Sequence, residues 1–148
     1  MTRATAIPTL LLLLAACSHA SAGDRVLVRI RTGTDTVTVV AGVADTDPER
    51  RAGLSDRTHL DPAEGMAFLL HHPVRVGFWM KDTQIPLSIA FWGPGGRIVS
   101  IMDMPPCRAN PCPSFRPKAA FVGALEVNRG FFRDRGVVVG DRVELSRG

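Results

Sequence analysis

Glu126 lies between Leu125 and Val127, a carboxylate set inside an apolar run. A charged group so placed either lines a site or pairs with an opposite charge. Arg57 and Lys81 are the two candidate counter-ions for it, and Asp141 is a fourth charged residue grouped with these three. Lys81 ends the segment Phe78-Trp79-Met80-Lys81. Strand alternation would put Phe78 and Met80 toward a core and leave Trp79 and Lys81 together on the other face, with Asp82 or Thr83 just beyond. An exposed indole beside an ammonium can stack on a planar, anionic or sugar-like ligand and neutralise it. The same Trp79 could instead simply close the open end of a barrel. Arg57, Trp79, Lys81, Thr83 and Glu126 therefore form the expected ligand-binding set. Catalysis has thinner support, because one carboxylate stands there with no visible nucleophile or paired acid, and no residue is assigned a catalytic role.

His71-His72, with Met80, Met102 and Met104, carries the soft donors that suit Cu(I) in an exported protein. Against that, methionine in a strand is ordinary core filler and His71-His72-Pro73 has the composition of an exposed turn. No metal site is assigned. The chain contains no Gly-rich phosphate loop, no Gly-x-Ser-x-Gly elbow and no zinc-protease helix, so no cofactor is expected.

The three cysteines divide by context. Arg3 precedes an apolar run of about 11 residues from Ala4 to Leu14, shorter than the ~20 a transmembrane helix needs. Leu14-Ala15-Ala16-Cys17 closes it, and this ending resembles a bacterial lipobox, whose cysteine is acylated and becomes the new N-terminus. The alternative is an ordinary signal peptide cut after Ala20 or Ala22. Either way the chain is expected to work outside the cytoplasm, held to a membrane at Cys17 in the first case and secreted or periplasmic in the second. The expected division is a signal peptide over 1–16, a tether over 17–24 and one β domain over 25–148. Cys107 and Cys112 remain, four residues apart among prolines, and in an oxidising compartment such a pair is expected to form a local disulfide.

Lys and Arg number 18 against 14 Asp and Glu, for a net charge of +4. The basic residues are scattered without a run, which is not the clustered footprint of a nucleic-acid binder. Once 16 residues are removed, 132 remain, enough for one domain with a real core.

The elements that must position these residues are mostly short strands. Arg25, Arg29 and Arg31 alternate with apolar residues, Val37 to Val43 is rich in β-branched residues, and Gly33-Thr34-Asp35 turns between them. Thr46 or Asp47 followed by Pro48 and Glu49 predicts a short helix to about Leu54. Further strands are expected over Met66–Leu70, broken by His71-His72-Pro73, and over Val76–Lys81, Leu87–Trp92, Arg97–Met102, Ala120–Val127 and Arg142–Leu145. Asn128 is expected to cap a second helix running through Arg135, with Gly136 as its left-handed stop. About eight short strands and two short helices indicate a mainly β fold, a partly open barrel or sandwich.

Four stretches together carry a family resemblance: Glu49-Arg50-Arg51-Ala52-Gly53-Leu54, Gly65-Met66-Ala67-Phe68, Phe78 through Leu87, and Glu126-Val127-Asn128 through Gly136 with Gly140-Asp141-Arg142-Val143. The chain resembles the "domain of unknown function 192" family of small, often exported domains over roughly residues 37–145. The resemblance implies a compact, mainly β fold and no established activity, cofactor or substrate. The family pattern usually has Asn after the Lys, Asp after the Pro-Leu and Met after the Gly-Leu. Here those positions hold Asp82, Ser88 and Ser55. An acid used from the position of Ser88 is therefore lost to this chain, which weakens an enzyme reading. The favoured expectation is a membrane-anchored, extracytoplasmic accessory or small-ligand-binding domain. The alternatives are a hydrolase-like enzyme acting on envelope material through Glu126, and a structural or assembly partner of an envelope complex.

Overall fold

A computed structural model describes residues 24–147. Cys17, the segment 1–16 and nearly all of the tether lie outside the described residues. Arg25–Arg31 (β1) and Thr36–Ala44 (β2) form the expected hairpin, with Arg31 opposite Thr36. On β1 the arginines point to solvent while Val26, Val28 and Ile30 are buried, as alternation requires. Asp47–Ala52 (α1) follows. The Thr46 hydroxyl accepts from the Glu49 N–H and the Glu49 carboxylate accepts from the Thr46 N–H, a capping box that fixes where the helix begins. α1 belongs to the crossover that lets Glu64–Val74 (β3) run parallel to β2.

β3 is longer than its composition suggests and passes through His71-His72-Pro73, where a break was expected. A register irregularity between Leu69 and Val74 accommodates the proline, which has no N–H to give to a ladder. The predicted strand over Val76–Lys81 shrinks to Phe78–Trp79 (β4), because Asp82 adopts a positive φ of 58° and turns the chain away. Leu87–Trp92 (β5) and Ile98–Met104 (β6) pair as a hairpin. Ser114–Phe115 (β7) pairs with β4 in a separate two-stranded sheet, a contact hidden in the proline-rich loop.

Phe121–Asn128 (β8) leads to Phe131–Asp134 (α2), which is shorter than expected, and Arg142–Arg147 (β9) ends the domain. Gly130, not Asn128, stands at the N-cap of α2. The Asn128 amide instead donates to the Leu60 carbonyl at 2.8 Å, tying β8 to the crossover segment. Gly136 does take the left-handed conformation, at φ 67°.

The main sheet has seven strands in the order β6-β5-β8-β3-β2-β1-β9. It does not close into a barrel. Its two edges meet at one corner only, where Arg97 bridges Arg142 and the Val143 N–H donates to the Gly96 carbonyl at 2.7 Å. The fold is thus mainly β and partly open. Two cores flank the sheet. One gathers Val28, Ile30, Val39, Leu125, Val127 and Trp92 with Phe131 and Phe132 of α2. The other gathers Phe68, Met80, Leu87, Ile89, Phe91, Met104 and Phe121 beneath the crossover and the loops. Because β5 serves both cores, all six of its residues are buried. The Trp92 ring packs on Gly123, where any Cβ would lie 2.2 Å from it.

Cys107 and Cys112 stand bonded, with Cα atoms 5.6 Å apart, in the loop between β6 and β8. Cys107 also packs against the second core.

Candidate functional site

One cross-strand row of residues locates the site. Arg25 of β1 lies opposite Gly42 of β2, Gly42 beside Met66 of β3, Met66 opposite Glu126 of β8, and Glu126 opposite Ile89 of β5. Glu126 therefore sits on an interior strand with Met66 and Ile89 as its lateral neighbours, neither of which can neutralise it. Gly65 packs so closely on this strand that a Cβ there would fall 2.5 Å from the Glu126 carbonyl oxygen.

Glu126 is 5% exposed. Its carboxyl group makes no ion pair or hydrogen bond among the described residues, so burial alone acts on it and raises its pKa from the usual carboxylate value to about 8. At neutral pH the group is mostly a neutral acid, able to donate one hydrogen bond.

The acid opens onto a cleft of about 530 Å³. α1 and the residues after it form one wall, including Arg50, Arg51 and Leu54. Phe68, Leu70, His71 and His72 of β3 form another, and Phe78, Trp79 and Thr83 complete the lining. Phe78 stands at the middle of an aromatic cluster, 4.9 Å from Phe68 and 5.5 Å from Phe91 between ring centroids. Edge-to-face pairs of this kind add roughly 0.5–1.5 kcal/mol each. The strand alternation around Trp79 is as expected: Met80 is buried, Phe78 is half-buried, and Trp79 is 59% exposed at the rim. Thr83 is buried and its hydroxyl donates to the Lys81 carbonyl at 3.4 Å.

The structure thus brings Trp79, Thr83 and Glu126 to one cleft. Lys81 is not on its lining, but its Nζ lies 5.8 Å from the Trp79 ring centroid, close enough for a cation–π contact. Arg57 is placed elsewhere. It lines a second hollow of about 320 Å³ with Leu60, Glu64 and Met66. Neither cation pairs with Glu126: the segments that carry them send Leu54, Leu60 and Met80 into the core on its side of the sheet, but Arg57 and Lys81 themselves are exposed.

The positive groups that do reach the cleft belong to α1, which composition alone shows only as a helix. Arg50 is already engaged there: Nη1 donates to the Asp45 and Leu69 carbonyls and Nη2 pairs with Asp47 at 2.6 Å. That hydrogen bond holds the Asp47 carboxyl below its usual value. His71 and His72 are exposed at the mouth, while Met80 and Met104 are buried in the second core and Met102 is half-buried against it. Among the described residues no three His, Cys, Asp or Glu side chains are grouped to hold a metal ion.

Ser88, where the family pattern has Asp, is almost fully buried. Its hydroxyl donates to Asp103 on the neighbouring strand and accepts from the Gly130 N–H at 2.9 Å. Asp103 in turn meets Arg129 at 3.5 Å. The acid missing at position 88 thus has a counterpart supplied across the hairpin, and it ties β5, β6 and the start of α2 together.

Two solved structures are similar to this chain over most of their lengths. A protein of unknown function from Novosphingobium aromaticivorans is 31% identical with a TM-score of 0.79, the match covering 85% of this chain and 89% of that one. A candidate transcription regulator from Sinorhizobium meliloti is 28% identical with a TM-score of 0.77, covering 83% and 95%. No curated protein matches the chain. The model of the family described as an uncharacterised ACR, domain of unknown function 192, matches residues 28–145, reaching back into β1 beyond the span the motifs alone suggest. With its motifs, its open seven-stranded sheet and this match over nearly the whole domain, the chain belongs to the domain of unknown function 192 family.

Proposed function

We propose that this protein is a membrane-anchored, extracytoplasmic domain that binds a small molecule in the cleft floored by Glu126. One observation carries the reading: a buried, unpaired carboxyl group opens onto a cleft of about 530 Å³, a volume in the range of small-molecule sites. A carboxyl largely buried in the cleft and given no protein partner costs stability, so its position makes sense if a ligand completes it. Trp79 at the rim and Phe68 and Phe78 on the walls supply apolar contact area. The apolar run ending in Leu14-Ala15-Ala16-Cys17 supports the anchor and the compartment.

A ligand entering the cleft should change the emission of Trp79, and Trp92 is buried away from it. The test is a thermal-shift screen of small polar-aromatic compounds on the intact protein, followed by fluorescence titration of the hits. Hits should weaken at least tenfold in Trp79→Ala and in Glu126→Gln. Hits that bind both variants as they bind the parent would place the ligand elsewhere and overturn the reading.

The neutral acid also favours a second reading, in which Glu126 donates a proton to a substrate of envelope origin. Turnover of such material that disappears in Glu126→Gln would establish it.

A further inference from the structure

We propose that the ligand of this cleft is an organic cation, a protonated amine carried on an apolar or aromatic group, whose charge seats against the Glu126 carboxylate. The inference rests on the cleft being a ligand site and adds the charge and class of the ligand.

The argument is one of missing partners. Met66 and Ile89 flank Glu126 laterally and Ala124 precedes it on the same face, while Arg25, three strands away in the same row, is paired with Glu64 at 3.2 Å. Asn128, two residues on, spends its amide on the Leu60 and Asp61 carbonyls. Arg50 is consumed by two carbonyls and Asp47. Arg51, His71 and His72 are exposed at the mouth, where solvent screens them. Lys81 lies over Trp79 instead of entering. At the floor of the cleft Glu126 is the group able to carry charge, and that charge is negative.

The walls agree with this sign. Aromatic side chains attract cations through their ring quadrupoles, and Phe68, Phe78 and Trp79 all line the cleft. An anion at the floor would meet these rings and a neutral acid with nothing to balance its charge.

Binding then exchanges one proton for one cation. The Glu126 carboxylic O–H breaks and its proton leaves to solvent. The carboxylate so formed accepts hydrogen bonds from the ammonium, which keeps its own protons. Affinity should therefore rise with pH, by up to about tenfold per unit, until Glu126 ionises unaided.

The experiment is calorimetric titration of the intact protein with benzylammonium, benzyl alcohol and phenylacetate at pH 6 and pH 7.5, in two buffers of different ionisation enthalpy. Benzylammonium should bind tightest, gain affinity at the higher pH and release up to one proton. Glu126→Gln should weaken it at least tenfold and remove most of the proton release. Should that variant fail to fold, proton release by the parent protein reads the exchange without it. Tighter binding of phenylacetate or benzyl alcohol, with sensitivity to Trp79→Ala, would overturn the cation assignment and leave the cleft as a ligand site. Failure of all three to bind at millimolar concentration, or binding indifferent to both variants, would overturn the cleft as well.

Discussion

A carboxyl group protonated up to about pH 8 makes stability depend on pH with a definite sign. Below the ordinary carboxylate range Glu126 is protonated in both folded and unfolded chains. Between that range and about pH 8 the unfolded chain loses the proton while the folded one keeps it, so stability falls as pH rises and levels off above. The shift from 4.5 to about 8 bounds the loss at about 5 kcal/mol. Glu126→Gln should flatten this slope and be more stable than the parent at pH 9, as urea melts from pH 4 to 9 would show; an unchanged slope would mean that the carboxyl is solvated. The alternation Leu125-Glu126-Val127 announced a charge in an apolar strand, and Phe78 to Lys81 announced which side chains face in and out. That Glu126 is unpaired was not legible, because a counter-ion is set by what the crossover and loops bring overhead. Arg57 and Lys81 are close in type and wrong in place.

The elements with strong local patterns emerged where the residues put them, and those governed by distant contacts did not. β1, β2 and β5 follow their alternation or a run that is apolar but for Ser88, and α1 begins where Thr46 and Glu49 cap it. β3 overruns Pro73 because its pairing with β8 shifts there, and β7 exists only because β4 lies beside it. The cleft is built largely from these less legible parts, the exit of β3 and the two residues of β4, with the legible helix α1 brought alongside by a parallel crossover. The Cys107–Cys112 bond belongs to the same scale. It encloses few residues, so the chain-entropy gain is about 2 kcal/mol, and Cys107 contributes only the margin of the second core. Double replacement by Ser should lower stability by no more than about 3 kcal/mol, with the sheet intact by circular dichroism; loss of folding would show that the loop supports the core. Because β7 lies just beyond the bond, the same variant should loosen β4 and the Trp79 rim first.

For the whole molecule the governing proposal is the anchor. Acylated Cys17 should hold the protein in the detergent phase and resist release by salt, since two or more acyl chains bury far more methylenes than one marginal chain. Cys17→Ser should move it to the soluble or unprocessed fraction. A parent protein found wholly soluble with its N-terminus at Ser21 or Gly23 would replace anchoring by plain secretion. The cross-strand row from Arg25 through Gly42 and Met66 to Glu126 then acts as a ruler. Three strand spacings of ~4.8 Å place the acid about 14 Å across the sheet from the residue where the tether joins. Seven residues from Ser18 to Asp24 reach at most about 25 Å when extended. The cleft of the anchored protein would then sample a layer within about 40 Å of the lipid surface. An amphipathic cation collects in that layer. The working concentration for this site would be the one at the membrane face, so an affinity that looks modest in free solution would suffice in place.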